Sequence, residues 1–429
     1  MQALCRSASS EEGERACTIL RSGVILDAMD SADFVVIGGG IIGLSIALRM
    51  RQVFSDASII LIEKEPHLGF HASTRNSGVL HAGFYYTPDS LKAKLTRIGA
   101  ERMRDYCSQN NLPLNACGKL VVARHSDDLA GLQLLLERGR ANGVNVQELT
   151  TREALEIEPR VKTFQKALFS PNTATVDPAA VVNSLAADAG RAGVDIRCGV
   201  RYVRRRDNTL TTSSGEISTG YVINTAGLYA DKVAHDFGFG EGMKIVGFKG
   251  LYLYSDEPPY SLRTNIYPVP DLKNPFLGVH FTITADGHVK IGPTAIPCLW
   301  REQYGWRERF QSQEMADSIK TLGGLMVWGG FDFRALALEE VRKYRKRYLV
   351  SQGARLVEGV QPSQFKHWGK PGIRAQLMST IDRKLVMDFC IQGDEKSFHI
   401  LNAVSPAFTC AFAFAEYTCE EICAKLGGH

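Results

Sequence analysis

The sequence is short of the features that mark specialised protein classes. Its ten cysteines include no CxxC pair and no CxxC…HxxxH cluster, which excludes the common zinc modules and leaves no metal site to expect. No uncharged apolar run reaches the roughly 20 residues a spanning helix needs. The two longest, Phe34 to Leu48 and Ile400 to Ala415, are broken by four glycines and by Pro406 respectively. Charge of one sign is also lacking: 50 Lys and Arg against 46 Asp and Glu leave a formal +4, so nothing calls for nucleic acid as a partner. No secretory signal opens the chain, and the cysteines read as reduced thiols of an intracellular protein. What remains is an ordinary globular composition, 45% apolar and 22% charged over 429 residues. At roughly 150 residues per domain that length predicts two or three domains.

The segment from Met1 to Ala32 carries Arg6, Arg15 and Arg21 among serines, as transit peptides do, against Glu11, Glu12, Glu14 and Asp27, which such peptides avoid. It predicts a leader, with a mitochondrial address if it is an organelle signal and a cytoplasmic or peripheral-membrane location in a bacterium. Asp33 to Ile37 (DFVVI) is a short β-branched run ending in glycines and predicts a buried strand. Ile42, Ser45, Ile46 and Arg49 follow at helical spacing, and Ser58 to Ile62 predicts a second buried strand. Strand, helix and strand within about thirty residues form a βαβ unit, which crosses over right-handed and builds a parallel sheet. Pro88-Asp89-Ser90 opens a helix running to Cys107, capped by Asp89 or Ser90. Lys119 to Ala123 predicts a strand, Asp127 to Asn142 a helix, and Asp177 to Ala234 a further α/β alternation. From Gly247 to Gly292 the texture turns to short alternating strands, with Asp286-Gly287 as a hairpin signal, and Phe412 to Lys425 predicts a last helix.

Gly38-Gly39-Gly40-Ile41-Ile42-Gly43 fits GxGxxG between the first strand and the helix. Gly38 permits the tight turn, Gly40 lets backbone approach a pyrophosphate, and Gly43 lets helix and strand pack closely. The helix N-terminus offers free N–H groups and partial positive charge to the phosphates. Glu63, at the end of the second strand, is placed to accept hydrogen bonds from both ribose hydroxyls, which disfavours a 2′-phosphate. The motif alone leaves FAD and NAD open. The small, polar stretch Gly69 to Gly78 predicts an extended strap beside the cofactor.

From Asp33 onward the chain resembles the D-amino-acid-oxidase superfamily of FAD enzymes and, within it, the L-2-hydroxyglutarate dehydrogenase family. The strings that carry the resemblance are NSGVLHAGFYY (Asn76 to Tyr86), CGKLVVA (Cys117 to Ala123), YPVP (Tyr267 to Pro270), FLGVH (Phe276 to His280), GIRAQ (Gly372 to Gln376) and NAVSP (Asn402 to Pro406). Leu251, Val404, Phe408 and Cys410 depart from the family pattern. The resemblance implies an α/β fold, a Rossmann-like FAD-binding domain (33–106, 165–240 and 366–429) with an inserted antiparallel-sheet substrate domain (107–164 and 241–365). It implies non-covalent FAD held by Gly38, Gly40, Gly43, Glu63, Lys64, Thr74, Asn76 and Ser77. Val200 would meet the adenine, Ala226 and Gly227 would return the chain under the pyrophosphate, and Gly372, Ser405 and Pro406 would close over the flavin's pyrimidine edge.

The implied reaction oxidises a 2-hydroxy dicarboxylate, so a base must take the hydroxyl proton and cations must hold the carboxylates. A neutral histidine suits the base, and His81 and His280 are the candidates, His81 first because it follows the strap. Arg374 is the expected carboxylate clamp, through two parallel hydrogen bonds. Lys249 and Lys119 are candidates for a second cation, and Tyr86 and Tyr267 for hydrogen bonds to substrate. The basic run Arg342 to Arg347, with Ala337, Val341, Tyr344 and Tyr348 at helical spacing, predicts either a solvated helix face or contact with anionic lipid. The latter suits an enzyme passing electrons to a quinone or other acceptor. Same-fold enzymes of amino acids or glycerol phosphate, and a flavin-binding scaffold without turnover, are the competing expectations.

Overall fold

The computed structural model describes residues 30–271, 276–328 and 333–427. Most of the expected leader, residues 1–29, therefore lies outside the described residues, while Asp30 to Ala32 already belong to the first strand. Strand β1 (Asp30–Ile37), helix α1 (Ile41–Val53) and strand β2 (Ile59–Glu63) form the expected unit, with β1 and β2 parallel from Phe34 opposite Ile59 to Ile37 opposite Ile62. Every residue of β2 is buried, as the continuous apolar run requires of a strand covered on both faces. On its other side β1 pairs in parallel with Gly215–Asn224, whose far end pairs with Ser397–Asn402. Asp195–Cys198 extends the sheet beyond β2. Pro178–Arg191 packs on α1, and the long helix Ala407–Leu426 packs on both α1 and the helix Leu91–Gln109. Phe34, Val36, Leu44, Leu61, Met103, Leu185, Phe414 and Ile422 fill the core between them.

Local signals mark several boundaries correctly. Ser90 caps the helix Leu91–Gln109 by accepting the Ala93 N–H at 3.1 Å. The last helix begins at Ala407, five residues before the expected start, because a proline is tolerated at a helix N-terminus and Pro406 sits there. Cys419 lines the core, and the eight cysteines among the described residues are all free thiols.

Beside a small three-stranded sheet of Val79–Leu80, Ala174–Val176 and Leu114–Asn115, two further sheets are antiparallel in the main. The larger, among the described residues, has eight strands, with Asn265–Pro268 at its centre between His280–Ile283 and Lys119–Val122. His280–Ile283 and Val289–Gly292 form the hairpin that Asp286-Gly287 signals, with Gly287 at φ +89°. The smaller sheet pairs Met243–Gly250 with Gly372–Ser379 along eight residues each. Lys166–Ser170 and Gly372–Ser379 thus hydrogen-bond into the antiparallel sheets.

The basic run is not one helical face. The helix Phe333–Arg342 ends where the run begins, and a second helix starts at Lys346 after a turn. Lys343 is buried in that turn against Glu340, so the spacing of Val341, Tyr344 and Tyr348 does not describe one continuous helix. No helix among the described residues is long and apolar enough to cross a membrane.

Candidate active site

The glycine loop turns β1 into α1 with no room to spare. Gly38 has φ +113°, and a Cβ there would fall 2.5 Å from the Thr225 carbonyl oxygen. A Cβ on Gly43 would fall 2.0 Å from the Gly38 carbonyl oxygen, so helix and loop touch backbone to backbone. Gly40, at the helix N-cap, supplies no side chain, which leaves the N-terminus of α1 open toward a cavity. Ser73 of the strap accepts the Ile41 N–H at 2.9 Å, and Thr225 donates to the Gly38 carbonyl at 3.0 Å. Ser73 and Thr225 are not singled out by the sequence: nothing in a serine or threonine beside a turn marks it as the one facing a helix end. Thr74 instead donates to Gly69 at 2.8 Å and Asn76 bonds Ala72, Ser73 and Gly78, so these two brace the strap itself. Asn76 and Ser77 still line the cavity, whereas Thr74 does not.

Glu63 is buried, and its two carboxylate oxygens accept the N–H groups of Gly39 and Glu65 at 2.8 and 2.9 Å. Burial raises its pKa above the usual carboxylate value, and those two N–H groups partly offset the rise. Val200 donates its N–H to the Glu63 carbonyl at 2.9 Å and lines the same wall, as do Ala226 and Gly227. A Cβ on Gly372 would fall 2.1 Å from the Arg75 carbonyl oxygen, so strap and strand meet directly. Gly372, Ser405 and Pro406 line the cavity further along.

A charged clasp covers the Glu63 side. Lys64 bridges Glu65 and Glu302 at 2.5 and 2.6 Å. Arg309 grips both oxygens of Glu65 (Nη2 to Oε2 2.8 Å) and reaches Glu302 at 2.6 Å. His71 links Glu65 at 3.0 Å to the Tyr304 hydroxyl at 2.7 Å, and burial lowers its pKa to about 4. Glu65, His71 and Glu302 stand close enough to share a cation, but Lys64 and Arg309 already balance the two carboxylates.

The cavity these walls enclose measures about 1510 Å³, above the roughly 300–1,000 Å³ of a site for a drug-sized ligand. Its lining passes from Glu63, Lys64 and Val200 along the glycine loop and strap to His81, Tyr85, Tyr86, Tyr252, Tyr267, His280 and Arg374. His280 stacks on Tyr267 with ring centroids 3.7 Å apart. Its Nδ1–H donates to the Gly278 carbonyl at 2.8 Å, which leaves Nε2 as the lone-pair nitrogen. His81 is buried with Nδ1 shut off from solvent and unpartnered, so the edge it offers the cavity is Nε2. Burial holds both imidazoles neutral, lowering His81 to about 3 and His280 well below its usual value. Arg374 donates to the Thr294 carbonyl at 2.9 Å and lies over the Phe276 ring, 5.9 Å from its centroid.

The two lysines do not join this lining. Arg374 pairs across the strands with Phe248, and Lys249 with Ile373. Alternation sends Lys249 to the face of that sheet opposite Arg374. Lys119 is fully buried one layer behind the wall, among the rings of Phe84, Tyr85 and Tyr267.

An open helix N-terminus, a glycine cradle and a buried carboxylate at the end of the second strand, continuous with an uncharged histidine pair and a guanidinium, define a dinucleotide-dependent redox enzyme. Residues 33–421 match the family model described as DAO, FAD dependent oxidoreductase. The chain is 35% identical to an L-2-hydroxyglutarate dehydrogenase of Indibacter alkaliphilus over 90% of its own length and 97% of the relative's. It is 33% identical to the mitochondrial L-2-hydroxyglutarate dehydrogenase of Homo sapiens over 91% and 89%. Among solved structures, an FAD-bound L-α-glycerophosphate oxidase of Mycoplasma pneumoniae shares the fold with a TM-score of 0.73 at 22% identity, covering 93% of this chain and 95% of that one. The chain belongs to the FAD dependent oxidoreductase family and, within it, to the L-2-hydroxyglutarate dehydrogenase family. It is an enzyme, and its cofactor is FAD.

Proposed function

We propose that this enzyme oxidises L-2-hydroxyglutarate to 2-oxoglutarate and passes the electrons to a quinone-type acceptor. The observation that carries the reading is the convergence of Arg374, His81 and His280 on the cavity that holds the glycine cradle. Bound FAD would supply the hydride acceptor. Gly38, Gly40 and Gly43 shape its pyrophosphate site, Glu63 its ribose site, and Lys64, Asn76, Ser77, Val200, Ala226, Gly227, Gly372, Ser405 and Pro406 surround the rest. Arg374 has N–H groups to spare beyond Thr294 and binds a substrate carboxylate as a fork. His81 takes the hydroxyl proton at Nε2; His280, held in its Nδ1–H form by Gly278, has a free Nε2 lone pair and is the alternative base. Tyr86 and Tyr267 close the wall around the substrate.

The exposed Leu338, Val341 and Tyr344, beside exposed Arg342, Arg345 and Arg347, support a peripheral contact with anionic lipid, where a quinone is reached. The relatives named mitochondrial, together with Arg6, Arg15 and Arg21 among the serines of the leader, support a mitochondrial address. The deciding experiment is anaerobic titration of the flavoprotein with each isomer of 2-hydroxyglutarate. Bleaching of the flavin by the L isomer alone is expected; a flavin that stays oxidised discards the substrate. His81→Gln should slow that reduction far more than it weakens binding.

A further inference from the structure

A dicarboxylate calls for a second cation besides Arg374, and neither lysine expected to supply it lines the cavity. Lys119 is sealed among the rings of Phe84, Tyr85 and Tyr267 with its Nζ unpartnered. Most other cations of the lining are engaged at the cofactor end. Lys64 and Arg309 belong to the clasp, and Lys232 pairs with Glu314 at 3.1 Å. Arg75 directs its N–H groups to the Phe70 and Pro371 carbonyls, and Arg201 stands exposed beside Val200. Among the described residues this leaves Lys92 and Arg138, and Arg138 is half-buried and donates to the Tyr85 carbonyl at 2.8 Å.

Lys92 is the second residue of the helix Leu91–Gln109 and is only 7% exposed. Helical side chains lean toward the N-terminus, so its stem runs past the start of the helix. There its Nζ donates to the Met387 carbonyl at 2.6 Å. An ammonium has three N–H donors, so two are left over. The adjacent acid does not take them. Asp388 turns its two oxygens to the N–H groups of Leu91 and Lys92, at 2.7 and 3.0 Å, and so caps the helix instead. Burial lowers the Lys92 pKa to about 8, with Asp388 opposing the fall, and the charge persists in most molecules at neutral pH. A buried charge without a close counter-ion is costly, and a ligand carboxylate would supply one.

The wall of the cavity sets this ammonium on the other side of the histidines from Arg374. Arg374 is near enough to His280 to help lower its pKa, and His280 stacks on Tyr267. Tyr267 neighbours Tyr86, whose ring centroid lies 6.0 Å from Lys92 Nζ. His81 is tied to the same corner. Its N–H is accepted by Thr409, and the sulfur of the next residue, Cys410, is 3.5 Å from the hydroxyl of Thr96, one turn along the helix from Lys92.

We infer that Lys92 binds the substrate's second carboxylate and selects a dicarboxylate over a 2-hydroxy monocarboxylate. This rests on the oxidation proposed above. Arg374 holds the carboxylate next to the hydroxyl, a histidine meets the hydroxyl, and the carboxylate at the far end of the five-carbon chain takes the free donors of Lys92. A monocarboxylate of the same length leaves the ammonium without its counter-charge, and a site built around a polar group rejects an analogue that lacks it.

The test is calorimetric titration of the holoenzyme with glutarate and with valerate, which share a five-carbon chain, carry no hydroxyl to oxidise and differ in the second carboxylate. The wild type should bind glutarate roughly ten- to a hundredfold more tightly. Lys92→Gln, whose amide can still donate to Met387, and Lys92→Met should both bring glutarate to within about threefold of valerate and leave valerate binding unchanged. Glutarate and valerate weakened alike would show a structural role and overturn the inference. A preference that survives both substitutions but disappears in Arg138→Met assigns the carboxylate to Arg138 and overturns it too. So does a wild type without any preference, even if neither Lys92 variant holds flavin. In anaerobic flavin reduction, the advantage of L-2-hydroxyglutarate over L-2-hydroxyvalerate should shrink by the same factor in Lys92→Gln. A flavin that L-2-hydroxyglutarate never reduces condemns the proposed substrate instead, and leaves the glutarate titration to decide on Lys92.

Discussion

Replacing Arg374 with methionine isolates the proposed carboxylate clamp. The side chain stands opposite Phe248 in the strand pair and over the ring of Phe276, so a methionine keeps the apolar contacts and removes only the guanidinium. A hydrogen bond to a charged group contributes about 1.5–3 kcal/mol, and a fork makes two, so the loss is roughly 3–6 kcal/mol. At about 1.4 kcal/mol per tenfold, substrate affinity should fall by roughly 10²–10⁴. Arg374→Lys keeps the charge and loses the fork, so it should lie between the two.

The assay is the substrate dependence of anaerobic flavin reduction, which separates the dissociation constant from the limiting rate. Dissociation should change steeply and the limiting rate much less, because the clamp holds a carboxylate that does not react. Gly250→Ala provides a second approach from outside the guanidinium. Its Cβ would fall 3.1 and 3.2 Å from the two terminal nitrogens of Arg374, displacing the fork without removing it. About tenfold weaker substrate binding with flavin content unchanged is expected there. An Arg374→Met enzyme that binds L-2-hydroxyglutarate within threefold of the wild type would refute the clamp.

Other consequences follow from the same geometry. Arg309→Met breaks the clasp over the Glu63 side and should raise the rate of flavin release by roughly ten- to a hundredfold, about 1.4–2.8 kcal/mol for charge-assisted bonds that are partly exposed. Flavin fluorescence after dilution reads that rate, and wild-type release should quicken with salt; no change in either removes the clasp from cofactor retention. Gly43→Ala puts a Cβ against the Gly38 carbonyl, a backbone atom that does not yield, so FAD affinity should fall at least about a hundredfold as measured by titration of apoprotein. Asp231 and Arg301 form a buried fork with both bonds at 2.7 Å. Burial pushes Asp231 upward, yet Arg301 outweighs it and the carboxyl sits below its ordinary 3.8. The pair's contribution is therefore complete above about pH 4 and is lost as pH falls through the lowered value. Asp231→Asn should cost about 3 kcal/mol in urea unfolding at neutral pH and flatten the acid limb; an unchanged acid limb would contradict the assignment.

What the sequence made legible is what is decided locally. DFVVI, the glycines and Glu63 act within one turn and two adjacent strands, so spacing alone places them. The Ser90 cap and the Asp286-Gly287 hairpin are equally short-range. Lys249 fails because its face depends on strand register with Ile373, more than a hundred residues away, and a slip of one residue reverses a face. Thr74 fails for a smaller reason: neighbouring hydroxyls in a strap are chemically alike, and only the turn decides that Ser73 reaches α1. The clasp was illegible because Glu302 and Arg309 are joined to Lys64 and Glu65 across 238 and 244 positions, in a segment without a motif.

Lys119 shows the opposite relation between motif and structure. It sits in CGKLVVA, its box is built from the phenylalanine and first tyrosine of NSGVLHAGFYY and from the tyrosine of YPVP, and the histidine of FLGVH stacks on that tyrosine. Four strings spread over more than two hundred residues therefore meet around one amine. A buried, unpartnered ammonium has no packing advantage over methionine or leucine and costs more to bury. Aromatic residues from two separate segments would not need to converge on a lysine to fill that volume. The three ring faces offset part of that cost, because their quadrupoles attract the ammonium.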